Sequence, residues 1–125
     1  MTEKLELYKC KTCSNVVEVV HEGVGTLVCC KADMTLAKEN IPDVENAHYA
    51  YVEVLDDITK KVVIKHVMTP EHHIEFIEVI SNDKKFVKRK FLSMTEPAEL
   101  TFKCNCEEGF FVRLYCNLDG VWVTK

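Results

Sequence analysis

Four cysteines near the start of the sequence carry its clearest chemistry. Cys10 and Cys13 are separated by two residues, and a second pair, Cys29 and Cys30, follows after residues 14–28. Two thiol pairs brought together by a turn of the chain can surround one metal ion, and tetrahedral sulfur coordination is typical of zinc or iron. The spacing therefore predicts a four-thiolate metal site without choosing between these two metals.

The second pair differs from that of an ordinary zinc ribbon, in which two residues separate each pair of cysteines. Neighbouring side chains of an extended chain point to opposite faces, so we expect Cys29 and Cys30 to reach one ion only with bent ligand angles. A purely structural role explains such distortion poorly. A structural zinc site and unligated buried cysteines remain the alternatives.

A second set of candidate ligands lies farther along the chain: His48, His66, His72, His73 and Cys116. Imidazoles combined with one thiolate suit iron, copper or zinc. Pro70 interrupts strand pairing, so we expect His66 and His72 to flank a loop that wraps one metal. His72 and His73 would point to opposite faces of an extended segment, so only one of them is expected to ligate. Taken singly, each histidine is more often an ordinary core or surface residue than a ligand.

These ligands need a scaffold, and the composition limits its size. The chain has 125 residues, 47% hydrophobic and 29% charged, which is enough for one full core or two small ones. A net charge of −4 argues against nucleic acid as a partner. No apolar run reaches the roughly 18 residues of a membrane-spanning helix, and the acidic start lacks the apolar core of a secretory signal. We therefore expect a cytoplasmic protein without a membrane partner, in which an odd total of seven cysteines favours metal ligation over disulfides.

The chain divides by composition into three parts. Residues 1–37 hold the four early cysteines but few large apolar side chains, so we predict a small domain that depends on its metal. Residues 38–47 are polar, contain Pro42 and are expected to be a linker. Residues 48–125 contain β-rich runs separated by turn signals, which predicts an all-β fold with a seven-stranded antiparallel sandwich. The seven runs are 49–55, 61–67, 74–80, 86–92, 99–104, 110–115 and 121–124.

Taken together, the motifs resemble those of one known family. In chain order they are Cys10-x-x-Cys13 after Tyr8, Cys29-Cys30 after Val28, Asp33-Met34, His48, His66-x-Met68-x-x-x-His72, and Cys116-Asn117 with Gly120 and Trp122. Over essentially the whole chain this order resembles desulfoferrodoxin, the two-iron form of superoxide reductase, and the adjacent cysteines are its most specific element. The resemblance implies a small desulforedoxin-like metal domain followed by an immunoglobulin-like sandwich.

The resemblance also implies ligands for two non-haem iron ions. It gives the first iron, for which zinc could substitute, to four cysteines: Cys10, Cys13, Cys29 and Cys30. It gives the second iron, where substrate binds, to three histidines and one axial cysteine: His48, His66, His72 and Cys116. His73 falls where the family has an aromatic residue and is left outside the second site.

Three departures from the family pattern concern the second iron. Asp119 stands where the family has its last histidine ligand, so it either ligates the metal or only forms a tight hairpin turn with Gly120. Asn46 and Ala47 replace a glutamate and a lysine, which removes from that loop the cation that would attract superoxide. Val67 replaces a proline.

The function implied by the resemblance is one-electron reduction of superoxide to hydrogen peroxide at the ferrous His/Cys site. A rubredoxin-like protein would supply the electron, and we expect a homodimer because the first domain has little core of its own. The alternative is a non-catalytic iron-binding electron carrier or redox sensor with a degenerate second site. Cys104 and Cys106, which would face one side of a strand, keep that alternative open. A third possibility is a zinc-stabilised module that binds a partner through the basic run at 84–90.

Overall fold

The computed structural model describes residues 1–104 and 108–125, so Cys106 lies outside the described residues. These residues contain β-strands and no helix, which confirms the expectation of an all-β chain. No helix in the described ranges has the length and apolar composition that crossing a membrane requires. The chain separates into two compact units, Met1–Lys38 and Glu39–Lys125.

The first unit is built from five short strands. They are β1 (Leu7–Lys9), β2 (Val16–Glu18), β3 (Val28–Cys29), β4 (Ala32–Asp33) and β5 (Thr35–Leu36). β1 lies between β2 and β5 in an antiparallel sheet, and β3 pairs with β4 as a separate hairpin. The largest apolar side chains buried in this unit are Leu5, Leu7 and Val19. So few side chains form a thin core, as predicted for a domain that depends on metal.

The second unit is a sandwich of two sheets. Its strands are β6 (Glu39–Asn40), β7 (Ala50–Val54), β8 (Thr59–Ile64), β9 (Ile74–Ser81), β10 (Val87–Phe91), β11 (Glu99–Lys103), β12 (Phe110–Cys116) and β13 (Gly120–Thr124). One sheet has the order β10-β9-β12-β13-β6 and the other has the order β11-β8-β7. The seven strands expected from the sequence correspond to β7–β13.

Two boundaries differ from the sequence expectation. The run predicted at 61–67 forms a strand only as far as Ile64, because the backbone N–H of His66 donates to the Ile64 carbonyl and turns the chain out of the sheet. Within the predicted linker at 38–47, β6 pairs in parallel with β13 and the Asn40 side chain donates to the Val121 carbonyl at 3.0 Å. A strand of two residues has no alternation that sequence could show.

The core of the sandwich comes from the inward faces of both sheets. Val62 and Phe102 from the smaller sheet pack in one cluster with Ile77, Val79 and Leu114 from the larger sheet. Alternation along each strand places these side chains inward, as period-two patterning requires. The sandwich therefore has a continuous hydrophobic core that needs no metal to exist.

A buried ion-pair network crosses the larger sheet. Glu78 on β9 is fully buried, and its carboxylate accepts from Arg113 Nε at 2.8 Å and from Arg89 Nη2 at 2.8 Å. Arg89 belongs to the basic run at 84–90. In that run the Lys88 ammonium group also donates to the Thr101 carbonyl at 2.9 Å, so part of the run's charge is paired inside this unit.

Candidate metal centres

The first cluster begins with a tight turn at Cys10 and Cys13. The backbone N–H of Ser14 donates to the Cys10 carbonyl at 3.0 Å, and the N–H of Cys13 points to Cys10 Sγ at 3.5 Å. Ser14 has φ of +69°, which lets the chain leave the turn while both sulfurs face the same side. The local backbone therefore presents this pair of thiols together.

The second pair of thiols lies at the tip of the β3–β4 hairpin. Cys29 pairs with Ala32, and the two loop residues, Cys30 and Lys31, have φ of +54° and +64°. Positive φ at both loop residues defines a type I′ turn, a geometry that usually requires Gly or Asn. The expectation that Cys29 and Cys30 are neighbours in an extended chain was wrong, because Cys30 is left-handed and its side chain turns back toward that of Cys29.

The four sulfur atoms lie at distances that suit one metal ion. All four are within 4.8 Å of one another, with 3.5 Å between Cys13 Sγ and Cys29 Sγ and 3.8 Å between Cys29 Sγ and Cys30 Sγ. Sulfurs about 2.3 Å from a tetrahedral metal are about 3.8 Å apart. The cluster fits a tetrahedral iron or zinc ion.

Crowding changes the acidity of these thiols. The hydrogen bond from the Cys13 backbone N–H lowers the pKa of Cys10 to about 6. The Cys13 thiol beside Cys30 raises the pKa of Cys30 to about 12, and it also raises that of Cys29. The Cys10 thiolate thus forms readily, whereas the neighbouring thiols oppose ionisation of Cys29 and Cys30. A bound cation removes that opposition, so metal binding and loss of protons are coupled.

The second cluster collects five donors at one end of the sandwich. His48 precedes β7, His66 follows β8, His72 precedes β9, Cys116 ends β12 and Asp119 lies in the β12–β13 turn. Their ligand atoms all lie within 4.8 Å of one another. Cys116 is fully buried, His48 is buried, and the Asp119 carboxylate is the most exposed member. Donors from three separate stretches of the chain, at His48, at 66–72 and at 116–119, therefore converge on one point.

Two irregularities of β12 aim its donors at this point. The pairing with β9 shifts between Tyr115 and Cys116, a bulge that redirects the cysteine. The β12–β13 hairpin closes with Cys116 opposite Gly120, whose φ of +80° is a conformation that glycine adopts at little cost. The hairpin turn expected from the Asp-Gly pair is therefore present, and Asp119 reaches the cluster from within it.

Asp119 Oδ2 makes three contacts inside the cluster. It lies 3.1 Å from His48 Nε2, 3.0 Å from His72 Nε2 and 3.6 Å from Cys116 Sγ. His66 Nε2 is 3.5 Å from the same sulfur. Donors at right angles around a metal, each at about 2.1 Å, are about 3.0 Å apart. The carboxylate oxygen thus sits beside two imidazoles and the thiol at ligand spacing.

Burial and hydrogen bonding set the charges of these donors. Burial lowers the pKa of His48 and of His66, which favours neutral rings able to bind metal. Burial alone would raise the pKa of the Asp119 carboxyl, but hydrogen bonds from His72 and Cys116 lower it. Burial raises the pKa of the Cys116 thiol. His48 and His66 therefore favour the neutral ring and Asp119 favours the carboxylate, while a cation is needed to hold the Cys116 thiolate.

Further hydrogen bonds hold the loops that carry the histidines. Two backbone hydrogen bonds close the turn at Pro70. The His72 N–H donates to the Thr69 carbonyl at 3.2 Å, and the Thr69 N–H donates to the His72 carbonyl at 2.9 Å. Asn117 ties this loop to the end of β12, since its Oδ1 accepts from the His73 N–H at 2.9 Å and its Nδ2 donates to the Glu71 carbonyl at 3.1 Å. The proline therefore shapes the loop as expected, and Asn117 fastens it.

The structure brings most of the predicted site residues together and leaves others outside the two clusters. Each of the two proposed ligand sets is brought together, and Asp119 joins the second. His73 is not in that cluster: its Nδ1 bonds to the Thr69 carbonyl at 2.9 Å and its ring is buried. Cys104 is buried just beyond β11, and Cys106, which is expected from the sequence to face the same side of that strand, lies outside the described residues.

Sequence reasoning missed two side chains that contact the second cluster. Asn46 accepts hydrogen bonds from His48, and Trp122 stacks on the same imidazole with the ring centroids 4.3 Å apart. Asn46 had been noted only as a departure and Trp122 only as part of a motif. Hydrogen-bonding side chains two residues before a candidate ligand are the signal that could have found Asn46.

Positive charge near the second cluster is limited. Ala47 occupies the loop position before His48, and Lys65 beside His66 places its ammonium group over the Tyr51 ring, 4.8 Å from the centroid. That placement is a cation–π contact at the surface. Lys65 is therefore already engaged with another side chain.

Comparison with known protein families covers both units. Residues 2–37 match the family model "Desulfoferrodoxin, N-terminal domain" and residues 32–125 match the model "Desulfoferrodoxin". A desulfoferrodoxin from Syntrophotalea carbinolica is 42% identical over 128 residues, covering 100% of this chain and 99% of that protein. A desulforedoxin from Megalodesulfovibrio gigas is 53% identical over 34 residues, covering 27% of this chain and 92% of that protein.

Solved structures of superoxide reductases share the fold of this chain. The superoxide reductase from Treponema pallidum has a TM-score of 0.75 at 24% identity and covers 98% of both chains, which supports the fold. The reduced superoxide reductase (neelaredoxin) from Archaeoglobus fulgidus has a TM-score of 0.50 at 25% identity, covering 68% of this chain and 93% of that one. The two clusters are consistent with the two iron centres of the superoxide reductase family. The chain belongs to the desulfoferrodoxin family.

Proposed function

We propose that this protein is a superoxide reductase that acts at the second cluster. The observation that carries the proposal is the convergence of three imidazole Nε2 atoms, one buried thiol and one carboxylate within 4.8 Å at the end of the sandwich. These residues would hold an iron ion able to supply one electron to superoxide, which becomes hydrogen peroxide on taking up two protons. The reduced neelaredoxin of Archaeoglobus fulgidus, named as a superoxide reductase, supports this choice.

The proposed ligands are His48, His66, His72, Cys116 and Asp119. Asp119 Oδ2 neighbours His48 and His72, whose rings both neighbour that of His66 at centroid distances of 4.8 and 4.5 Å. This cyclic order places the carboxylate opposite His66, in the fourth corner of a square. Cys116 Sγ lies 3.5 Å from His66 Nε2 and 3.6 Å from Asp119 Oδ2, so it would hold the same metal ion as these two donors. A metal ion bound by these five donors would be the place where superoxide is reduced.

Each residue then has a defined task. The buried Cys116 thiolate would donate electron density to the bound metal, and the imidazoles of His48, His66 and His72 would hold that metal in place. The Asp119 carboxylate and the thiolate would together cancel the two positive charges of a ferrous ion. Since Ala47 provides no cation, an anionic substrate experiences weaker attraction than at a centre with four imidazoles and a lysine.

The first cluster has a supporting role in this proposal. Its four thiolates would hold an iron ion that serves as a relay for electrons from a rubredoxin-like donor. We place the protein in the cytoplasm, and we propose a homodimer because few apolar side chains support the first unit.

Replacing Cys116 tests the function directly. Cys116→Ala removes the thiolate, and we expect superoxide consumption by the reduced, iron-loaded protein to fall to the rate of buffer. Cys13→Ser is the matched control, because it removes a thiol from the first cluster only; direct chemical reduction of its second iron should preserve a single turnover. Metal content and the visible spectrum, measured on each variant, distinguish two irons from one and iron from zinc.

Retention of the parent rate by Cys116→Ala would refute the proposed mechanism. If each parent chain binds one iron ion and consumes superoxide no faster than buffer, the result would instead favour the electron carrier with a degenerate second site. A colourless, zinc-loaded first cluster would favour the zinc-stabilised module.

A further inference from the structure

We propose that Asn46 is a positioning residue that fixes the tautomer and orientation of the His48 ring at the second centre. The inference rests on the proposed function for the ligand set, and it assigns a role to a side chain outside that set. Asn46 Oδ1 lies 2.8 Å from the backbone N of His48 and 2.9 Å from its ring Nδ1. One oxygen therefore serves two groups of the same histidine.

The backbone contact decides which atom of the amide faces His48. A backbone N–H can only donate, so the Asn46 atom that it meets is the oxygen and not the amide nitrogen. The same oxygen can only accept from the ring, so Nδ1 carries the proton. Nε2 is then left with its lone pair, and it is this atom that lies 3.1 Å from Asp119 Oδ2 in the cluster.

Asn46 is itself held by a turn. Its backbone N–H donates to the Asp43 carbonyl at 2.9 Å, and its carbonyl accepts from the Tyr49 N–H at 3.0 Å. The residue is half-buried, so its side chain has little freedom to leave His48. The turn thus supplies a fixed acceptor to a ligand whose ring would otherwise rotate about its side-chain bonds.

Trp122 restrains the same imidazole in a second direction. Its ring lies parallel to that of His48, with 4° between the planes, and its Nε1–H donates to the Asp119 carbonyl at 3.0 Å. Stacking fixes the plane of the His48 ring, while the Asn46 bond fixes the rotation of the ring within that plane. Together, Trp122 and Asn46 fix the positions of two neighbouring ligands, His48 and Asp119, relative to each other.

Comparison of His48 with His66 shows why a substitution at Asn46 can test the role of the Nδ1 hydrogen bond. The Nδ1 atom of His66 bonds to the Val67 backbone carbonyl at 2.6 Å, an acceptor that no side-chain substitution removes. At His48 the acceptor is a side chain and can be deleted alone. Loss of such a partner typically lowers metal affinity 10- to 100-fold.

The test uses the full chain titrated with Co²⁺ against a competing chelator. Thiolate-to-cobalt absorption from the four-cysteine cluster reports the first site, while the second site is followed by its own bands. We expect Asn46→Ala to weaken Co²⁺ binding at the second site by about tenfold or more and to leave the first site unchanged. Asn46→Asp keeps an acceptor at the same position and should retain at least the parent affinity. Glu45→Ala, an exposed change in the same turn, is the control.

A second measurement follows the proton on His48 Nδ1. Nitrogen NMR of the zinc-loaded chain should show a slowly exchanging Nδ1–H on His48 in the parent and in Asn46→Asp, and rapid exchange in Asn46→Ala. If Asn46 only stabilised the fold, Asn46→Ala would change the unfolding midpoint, but Asn46→Asp would not restore the slow exchange of the His48 Nδ1–H.

Each outcome decides the inference. If Asn46→Ala binds Co²⁺ at the second site as tightly as Glu45→Ala, or if Asn46→Asp is not tighter than Asn46→Ala, the positioning role is wrong while the proposed function stands. If Asn46→Ala does not fold, weak second-site binding by Asn46→Asp is sufficient to overturn the role. If the parent chain binds only one Co²⁺ ion, the ligand set of the proposed function fails, and the role fails with it.

Discussion

The two metal clusters are built in opposite ways. The thiols of the first come from two turns within Cys10–Cys30, in a unit whose large buried side chains are few. The ligands of the second come from three stretches of the chain between His48 and Asp119, held by a sandwich with a continuous core. From this difference we expect the first unit to need its metal in order to fold and the second unit to fold without one.

The largest effect should follow removal of all metal. Structural four-ligand sites contribute about 10–16 kcal/mol of apparent binding free energy, which the first unit's thin core cannot replace. We expect residues 1–38 to lose protection from hydrogen exchange in the metal-free chain, while the strands of the second unit keep theirs. Peptide-level exchange measured by mass spectrometry checks this.

Cys13→Ser should reproduce that result with metal present, and Lys11→Ala, an exposed change in the same turn, should not. Equal protection of the first unit with and without metal would contradict the distinction between the clusters.

The second unit should depend instead on its own buried groups. Glu78→Ala leaves the guanidinium groups of Arg113 and Arg89 without their buried carboxylate, a change that typically costs about 3–5 kcal/mol. Urea unfolding followed by Trp122 fluorescence measures the free energy of unfolding. Glu99→Ala is the control, because its contact with Lys61 at 3.4 Å is partly exposed and worth about 0–1 kcal/mol. Similar losses of unfolding free energy in Glu78→Ala and Glu99→Ala would show that the buried network stabilises the unit no more than a partly exposed ion pair does.

A smaller effect is expected at the second metal. Asp119→His replaces a carboxylate by a neutral imidazole, so the centre gains one positive charge and anions should bind more tightly. We expect azide affinity of the ferric protein, measured by visible titration, to rise by about tenfold, together with better retention of iron. Asp119→Asn separates charge from ligation, since it removes the charge and keeps the size. Unchanged azide affinity in Asp119→His would exclude Asp119 from the ligand set.

The sequence predicted the architecture better than the details of the sites. Runs rich in β-forming residues, separated by turn signals, identified the seven strands of the sandwich. The sequence could not predict β6, because two residues carry no period, or the left-handed Cys30, because type I′ turns rarely use cysteine.

The sites show the same limit. Spacing grouped the four early cysteines because they are close in sequence. It left Asp119 open, because an Asp-Gly pair also serves a turn, and here the hairpin both makes that turn and aims the carboxylate at the cluster. The roles of Asn46 and Trp122 depend on contacts made only after the chain folds.

The central claim is that the second cluster performs reduction without dismutation. The direct test mixes fully reduced, two-iron protein with a known pulse of superoxide and measures both products. The account predicts one hydrogen peroxide per superoxide consumed, oxidation of one iron and no oxygen released. Oxygen evolution, or consumption no faster than in buffer, would contradict it.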